Sequence, residues 1–210
     1  MPNKLPSGFV IPADAESKLY RFANEEYDYY DGIPDEHVRG IIPLDVLVTY
    51  AVNSRIWAAD RVRDIHRGMA GTCDPALAEL PNDLELTSSD LVVDSVGRLL
   101  ARVLPVRWVG LAVATKVLHR KRPLLIPMLD SVLVTHYTGK KEIYGGVNLP
   151  RTEQECTAVV RMFRDDLLAA GPLLDPIQHN LESSGFSLTK LRLLEIMIWI
   201  EKESNGIYRS

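Results

Sequence analysis

Apolar residues in this chain recur at three and four positions and nowhere in sustained alternation, which limits it to helices packed on helices. Leu44, Leu47, Val48, Ala51, Val52 and Ile56 follow Pro43 at an N1-like place and predict one long amphipathic helix over residues 43–68. A loop is expected at Gly71, Pro75, Pro81 and Asn82. Thr87-Ser88-Ser89-Asp90 then caps a helix whose Leu91, Val92, Ser95, Val96, Leu99 and Leu100 keep helical spacing until Pro105. The next helix carries Leu111, Val113, Ala114, Val117 and Leu118 and is stopped by Pro123, and a short one after Pro127 carries Val132, Leu133 and Tyr137. Beyond a loop at residues 139–150, Thr152-x-x-Glu155 has capping-box spacing and opens a helix expected to run to Gly171. The last helix, residues 187–203, is apolar nearly all round, which marks it as buried, and its Arg192 and Glu195 are spaced to pair with each other.

Residues 1–40 mix Pro, Gly and acidic groups and read as an irregular segment packed on the core, with an aromatic-rich turn at Tyr27-Asp28-Tyr29-Tyr30-Asp31-Gly32. The expectation is an all-α fold in which residues 41–210 form one helical domain. With 210 residues, 46% of them hydrophobic, such a chain can bury a sizeable core without a metal or disulfide. The two cysteines, Cys73 and Cys156, lack the spacing of a zinc or iron–sulfur site, so no metal is implied. A Gly-rich phosphate loop and internal repeats are both missing, which removes the main support for Rossmann, P-loop and solenoid readings, and no cofactor is expected. The first residues lack the basic and apolar regions of a leader, and no apolar run reaches the roughly 18 residues of a membrane span. A cytoplasmic protein, taken as a monomer, is expected.

The net charge of −4 argues against whole-surface affinity for nucleic acid but leaves room for a local basic patch. His119-Arg120-Lys121-Arg122 is the densest cationic cluster, to be read either as a nucleic-acid contact or as a solvated loop. Residues 105–109 join two helices in a few residues and make a helical hairpin. Pro123 and Pro127 then stiffen the chain ahead of Asp130, which opens a new helix and is held at its N-terminus.

The segment VGLAVATKVLHRKRPLLIPMLD, residues 109–130, resembles the helix-hairpin-helix DNA glycosylase superfamily. Val109-Gly110 falls on the end of the hairpin, Ala114 on the small helix residue and Leu129-Asp130 on the catalytic aspartate. The stretch PLDVLVTYAVNSRIWAADRV, residues 43–62, resembles the helix that lines the base pocket in that superfamily and places Asn53, Ser54 and Arg55 there. The two matches cover about a fifth of the chain. The motif K-x-L-H-R-K-R-P-x-L-I-P-x-x-D is also typical of an uncharacterised bacterial family.

The glycosylase resemblance implies a helix-hairpin-helix unit followed by an Asp-bearing loop and helix, acting on double-stranded DNA with a damaged or modified base. Ala112 stands where bifunctional members carry a nucleophilic lysine, which implies a monofunctional enzyme serving repair or phage defence. Arg107-Trp108 replaces the usual Pro-Gly of the hairpin turn. Cleavage of an N-glycosidic bond passes through a sugar cation, so Asp130 beside C1′ would stabilise it and orient water. Arg107, Trp108, Val109, Gly110, Lys116, His119, Arg120, Lys121 and Arg122 would contact DNA, and Tyr29 and Tyr30 would join Asn53, Ser54 and Arg55 around the flipped base. Each has a plainer role: Asp130 as a cap, Lys116 as its salt-bridge partner, Trp108 as a core anchor, and His119 and His136 as hydrogen-bonded histidines. The alternative function is a non-catalytic module that binds nucleic acid or protein on the same scaffold.

Overall fold

The computed structural model describes residues 3–35, 40–52, 56, 58–139 and 149–204. Among them are eight α-helices and no strand: α1 Ala15–Glu26, α2 Pro43–Val48, α3 Ala59–Glu79, α4 Asp90–Val103, α5 Leu111–Lys121, α6 Ser131–Thr138, α7 Glu153–Ser183 and α8 Lys190–Ser204. The all-α expectation stands, and no described helix is long and apolar enough to cross a membrane. A continuous buried cluster draws on every helix and runs from Leu5 to Ile198. α8 is its centre, with Leu191, Leu193, Leu194, Ile196, Met197 and Ile198 all buried. α4 lies closely on α7, where a Cβ added at Gly97 would sit 2.0 Å from Thr157 Oγ1 and 2.8 Å from its Cα. Only glycine permits that approach.

Four boundaries differ from the sequence expectation. The segment read as irregular contains α1, which buries Ala15, Leu19 and Ala23. The aromatic turn is a short 3₁₀ segment, Tyr27–Tyr29. The long helix over 43–68 is two: α2 tightens into a 3₁₀ turn, Thr49–Val52, and α3 starts afresh after an extended Ala58. Thr49 Oγ1 donates to the Val46 carbonyl at 2.7 Å, a side-chain bond that offers the chain an alternative to the helical ladder.

The expected loop at Gly71 and Pro75 lies inside α3, and α7 passes through Pro172 and Pro176 to Ser183 instead of ending at Gly171. All three prolines face solvent, as do Gly71 and Leu168, whose carbonyls Pro75 and Pro172 leave without a helical partner. Water can satisfy those carbonyls. Meanwhile the opposite faces bury Val62, Ile65, Met69, Cys73 and Leu77 in α3, and Leu167, Ala170, Leu174, Ile177 and Leu181 in α7. Burial at about 1.5–3 kcal/mol per large apolar side chain outweighs the roughly 3 kcal/mol cost of one helical proline.

Candidate active site

Residues 122–130 cross from the end of α5 to the start of α6, and side chains hold this backbone at successive points. His119 Nδ1 meets the Ile126 carbonyl at 2.7 Å, the Met128 N–H donates to Glu195 Oε1, and the Leu129 N–H donates to Thr115 Oγ1 at 3.0 Å. Asp130 follows as the N-cap of α6, its Oδ1 accepting from the Val132 and Leu133 N–H groups at 2.9 and 3.1 Å. Both cap bonds use one oxygen, which leaves Oδ2 for the cavity that Asp130 lines.

That cavity encloses about 420 Å³. Its inner walls carry Lys116, Asp130, Arg192 and Glu195, while α1 closes one side with Phe22 and the polar residues Lys18, Arg21, Glu25 and Glu26. Ala51 and Val52, at the end of the 3₁₀ turn, form another side. The helix break matters here because Lys116 Nζ donates to the Val52 carbonyl, an acceptor that a continuing helix would have occupied.

Burial dominates the electrostatics. It raises the Asp130 carboxyl above the usual range against the pull of the Leu133 N–H and Lys116, and it lowers the Lys116 ammonium, opposed by Asp130. Glu195 is pushed up to about 8 by burial, with Arg192 and the Met128 N–H acting the other way. Arg192 lies mainly against Asp31, with Nε 2.9 and 3.2 Å from Oδ1 and Oδ2 and Nη2 3.1 Å from Oδ2. Its contact with Glu195 Oε2 is longer, at 3.4 Å. The i, i+3 pair expected from the sequence is thus present, embedded in a larger cluster.

The basic run is neither a DNA-facing patch nor a solvated loop, because its four side chains are buried. Arg120 Nε reaches Asp45 Oδ1 at 3.2 Å, and its terminal nitrogens donate to the Tyr30, Ile33 and Pro34 carbonyls. Lys121 lies 2.9 Å from Asp35 and 2.6 Å from Asp45. Arg122 donates to the Leu77 and Leu80 carbonyls and so closes the C-terminus of α3. His119 is held down to about 4 by burial and by Arg192. Lys116 is likewise inside, so the DNA contacts expected of Lys116, His119, Arg120, Lys121 and Arg122 are corrected: as folded, these groups present no cationic surface.

The hairpin turn is different. Arg107, Trp108 and Gly110 are exposed, whereas Val109 is buried. Trp108 adopts φ +67°, the one non-glycine residue at positive φ among those described, and its ring lies 4.6 Å from the Arg61 guanidinium and 4.7 Å from that of Arg107. It is therefore no core anchor. Of the expected base-pocket residues, Tyr29 is exposed and outside the cavity. Tyr30 is buried behind the cavity, donating to the Lys116 carbonyl at 2.6 Å. Asn53, Ser54 and Arg55 lie outside the described residues. Phe22, Asp31, Met128, Glu195 and Trp199 line the cavity and were not singled out as pocket residues, although two charges within the otherwise apolar stretch 191–198 signal a buried polar site.

A second polar cluster joins Ser7, His136 and Asp166. Ser7 Oγ lies 3.0 Å from His136 Nε2, but Asp166 accepts from the Ser7 hydroxyl and amide and from Tyr137, not from His136. A serine nucleophile needs the carboxylate behind the histidine. Here the cluster pins the N-terminal segment to α6 and α7. No group of three or more His, Cys, Asp or Glu suited to a metal occurs among the described residues.

Fold and cavity together define an all-helical protein with a buried carboxyl-bearing site. A family model described as a family of unknown function, DUF6308, matches residues 13–202, and the chain belongs to that family. No curated protein and no solved structure matches the chain.

Proposed function

We propose that the protein is a monofunctional DNA N-glycosylase, with Asp130 as the carboxylate that stabilises the developing sugar cation and takes a proton from the attacking water. The position of Asp130 carries this reading: its carboxylate is fixed by two cap bonds through one oxygen while the other is left for the cavity. A cavity of about 420 Å³ falls in the roughly 300–1,000 Å³ range of small-ligand sites and has room for a flipped base. Phe22 and Trp199 offer it aromatic surface. The DNA-facing role passes to the hairpin turn, where exposed Arg107 and Trp108 adjoin the N-terminus of α5, which has no side-chain cap.

Ala112 leaves no amine at the position used by bifunctional enzymes, so the expected product is an intact strand bearing an abasic site. Duplexes containing single uracil, hypoxanthine, 8-oxoguanine or 3-methyladenine residues test this with alkaline cleavage and borohydride trapping. Alkali-dependent breaks without a trapped adduct support the assignment. An adduct that vanishes on Lys116→Ala would overturn it and make Lys116 the nucleophile. Burial of the basic run favours a second reading, a helical module that binds without catalysis. Binding to these duplexes with no excision of any base would select it.

A further inference from the structure

We infer that Glu195 is a second catalytic carboxyl of this cavity, the proton donor to the departing base, working with Asp130 as the carboxylate. This rests on the N-glycosylase reading and adds a residue to it. Both groups line one cavity, but their supports differ. Asp130 sits at a helix N-terminus, where two N–H groups and the helix dipole favour negative charge. Glu195 projects from the middle of α8, 2% exposed, and receives only the Met128 N–H on Oε1 and the long Arg192 contact on Oε2.

Charge balance points the same way. The inner wall holds three carboxyl groups, Asp31, Asp130 and Glu195, against two cations, Lys116 and Arg192. Arg192 makes its shorter contacts with Asp31, and the charges of both Lys116 and Arg192 are felt at Asp130. Glu195 is left with one N–H donor and one long cation contact, and burial makes a carboxyl so placed hold its proton more tightly than usual. Oε1 accepts from Met128 and Oε2 meets only the long Arg192 contact, so Oε2 is the oxygen assigned the proton, its O–H directed away from Arg192. The groups whose charges couple to Glu195 are Tyr30 and Asp31 from the N-terminal segment, Lys116 from α5, Tyr137 from α6 and Arg192 from its own helix, and Asp130 of the α6 N-cap lines the same cavity. α1 adds Lys18, Arg21, Glu25 and Glu26 to the cavity lining, and α7 adds nothing.

The step balances without a co-reactant. The bond from C1′ to the base nitrogen breaks, its electron pair leaves with the base, and the Glu195 Oε2 proton neutralises that base. Water adds to C1′ and gives its proton to Asp130. Proton exchange through solvent then returns Glu195 to the acid and Asp130 to the carboxylate. Burial raises both carboxyls, but two cap N–H groups oppose the rise at Asp130 where Glu195 is taken to about 8, and a pair so differentiated can serve as acid and base.

The test combines a titration with a rate profile on the full chain. In the wild type, the Glu195 side-chain carboxyl ¹³C resonance, assigned through side-chain correlations, is expected to titrate near pH 8, and the signal disappears in Glu195→Gln. A midpoint below pH 6 would overturn the proposal, and this reading stands even if the variant misfolds. On the duplex panel, wild-type excision should fall as pH rises through that midpoint. Glu195→Gln, whose amide oxygen can still accept from Met128, should be on the order of a hundredfold slower at pH 7 and lose the alkaline fall. Excision that survives Glu195→Gln at the wild-type rate overturns this proposal alone. No excision by the wild type overturns the N-glycosylase reading, and this proposal with it.

Discussion

The two ends of one helix treat their cations in opposite ways. At the start of α5, Arg107 is in solvent and stacks on a Trp108 ring that is 46% exposed, in a turn held at positive φ. At its end, Arg120, Lys121 and Arg122 are buried and face Asp35, Asp45 and main-chain carbonyls. Asp45, which meets both Arg120 and Lys121, is some 75 positions away in sequence, so nothing local distinguishes the two ends. A run of basic residues therefore reports where cations are, not where surface charge is. One end was built to hold the N-terminal segment and α3 in place, and the other is free to meet a partner.

Breaking the buried end should have the largest effect. Lys121→Ala takes one of two cations from Asp45, 0% exposed, and an ion-pair partner from Asp35, and is expected to cost about 3–5 kcal/mol in urea unfolding. A loss below about 1 kcal/mol joined to weaker DNA binding would put the run back on the surface. A step of the order of 3 kcal/mol is expected from His119. The unfolded ring takes up a proton near pH 6.5 and the folded one only near 4, so the unfolded state binds more protons in between. Stability contributed by the neutral ring is full above pH 6.5 and is lost as pH falls towards 4. An identical slope in His119→Gln over that window would show that other groups cause the loss.

At the exposed end the effects are smaller. Trp108→Gly removes the positive-φ strain and should change stability by no more than about 1 kcal/mol, since it also removes two cation–π contacts, while duplex affinity falls. Unchanged affinity would mean that the hairpin turn does not meet DNA. Arg107→Ala should leave stability within about 0.5 kcal/mol and flatten the salt dependence of binding.

The helices around Asp130 were legible because caps, prolines and apolar spacing act over a few residues: Gly110 before α5, Pro123 after it, Asp130 before α6. Pro75, Pro172 and Pro176 misled because whether a proline ends a helix depends on which face it occupies, and tertiary packing decides that. The cavity was legible only in part. Asp130 and Lys116 share the segment that carries the motif, whereas Asp31 and Glu195 are brought to them from some 100 positions earlier and 65 later. Arg192 and Glu195, the two charges within the buried apolar stretch 191–198 of α8, were the local sign of it, and the pairing between them explained that sign too readily.

A catalytic Asp130 and an Asp130 that only caps α6 make different demands on one side chain. Asparagine separates the two roles, since Asp130→Asn keeps a side-chain oxygen for the Val132 and Leu133 N–H groups but loses the charge beside the cavity. Thermal unfolding and single-turnover excision should be measured on the same preparations. Asp130→Asn should lose no more than about 1 kcal/mol of stability and excise on the order of a hundredfold or more slowly, with duplex binding intact. Excision at the wild-type rate by Asp130→Asn would contradict the catalytic role and leave Asp130 as a cap.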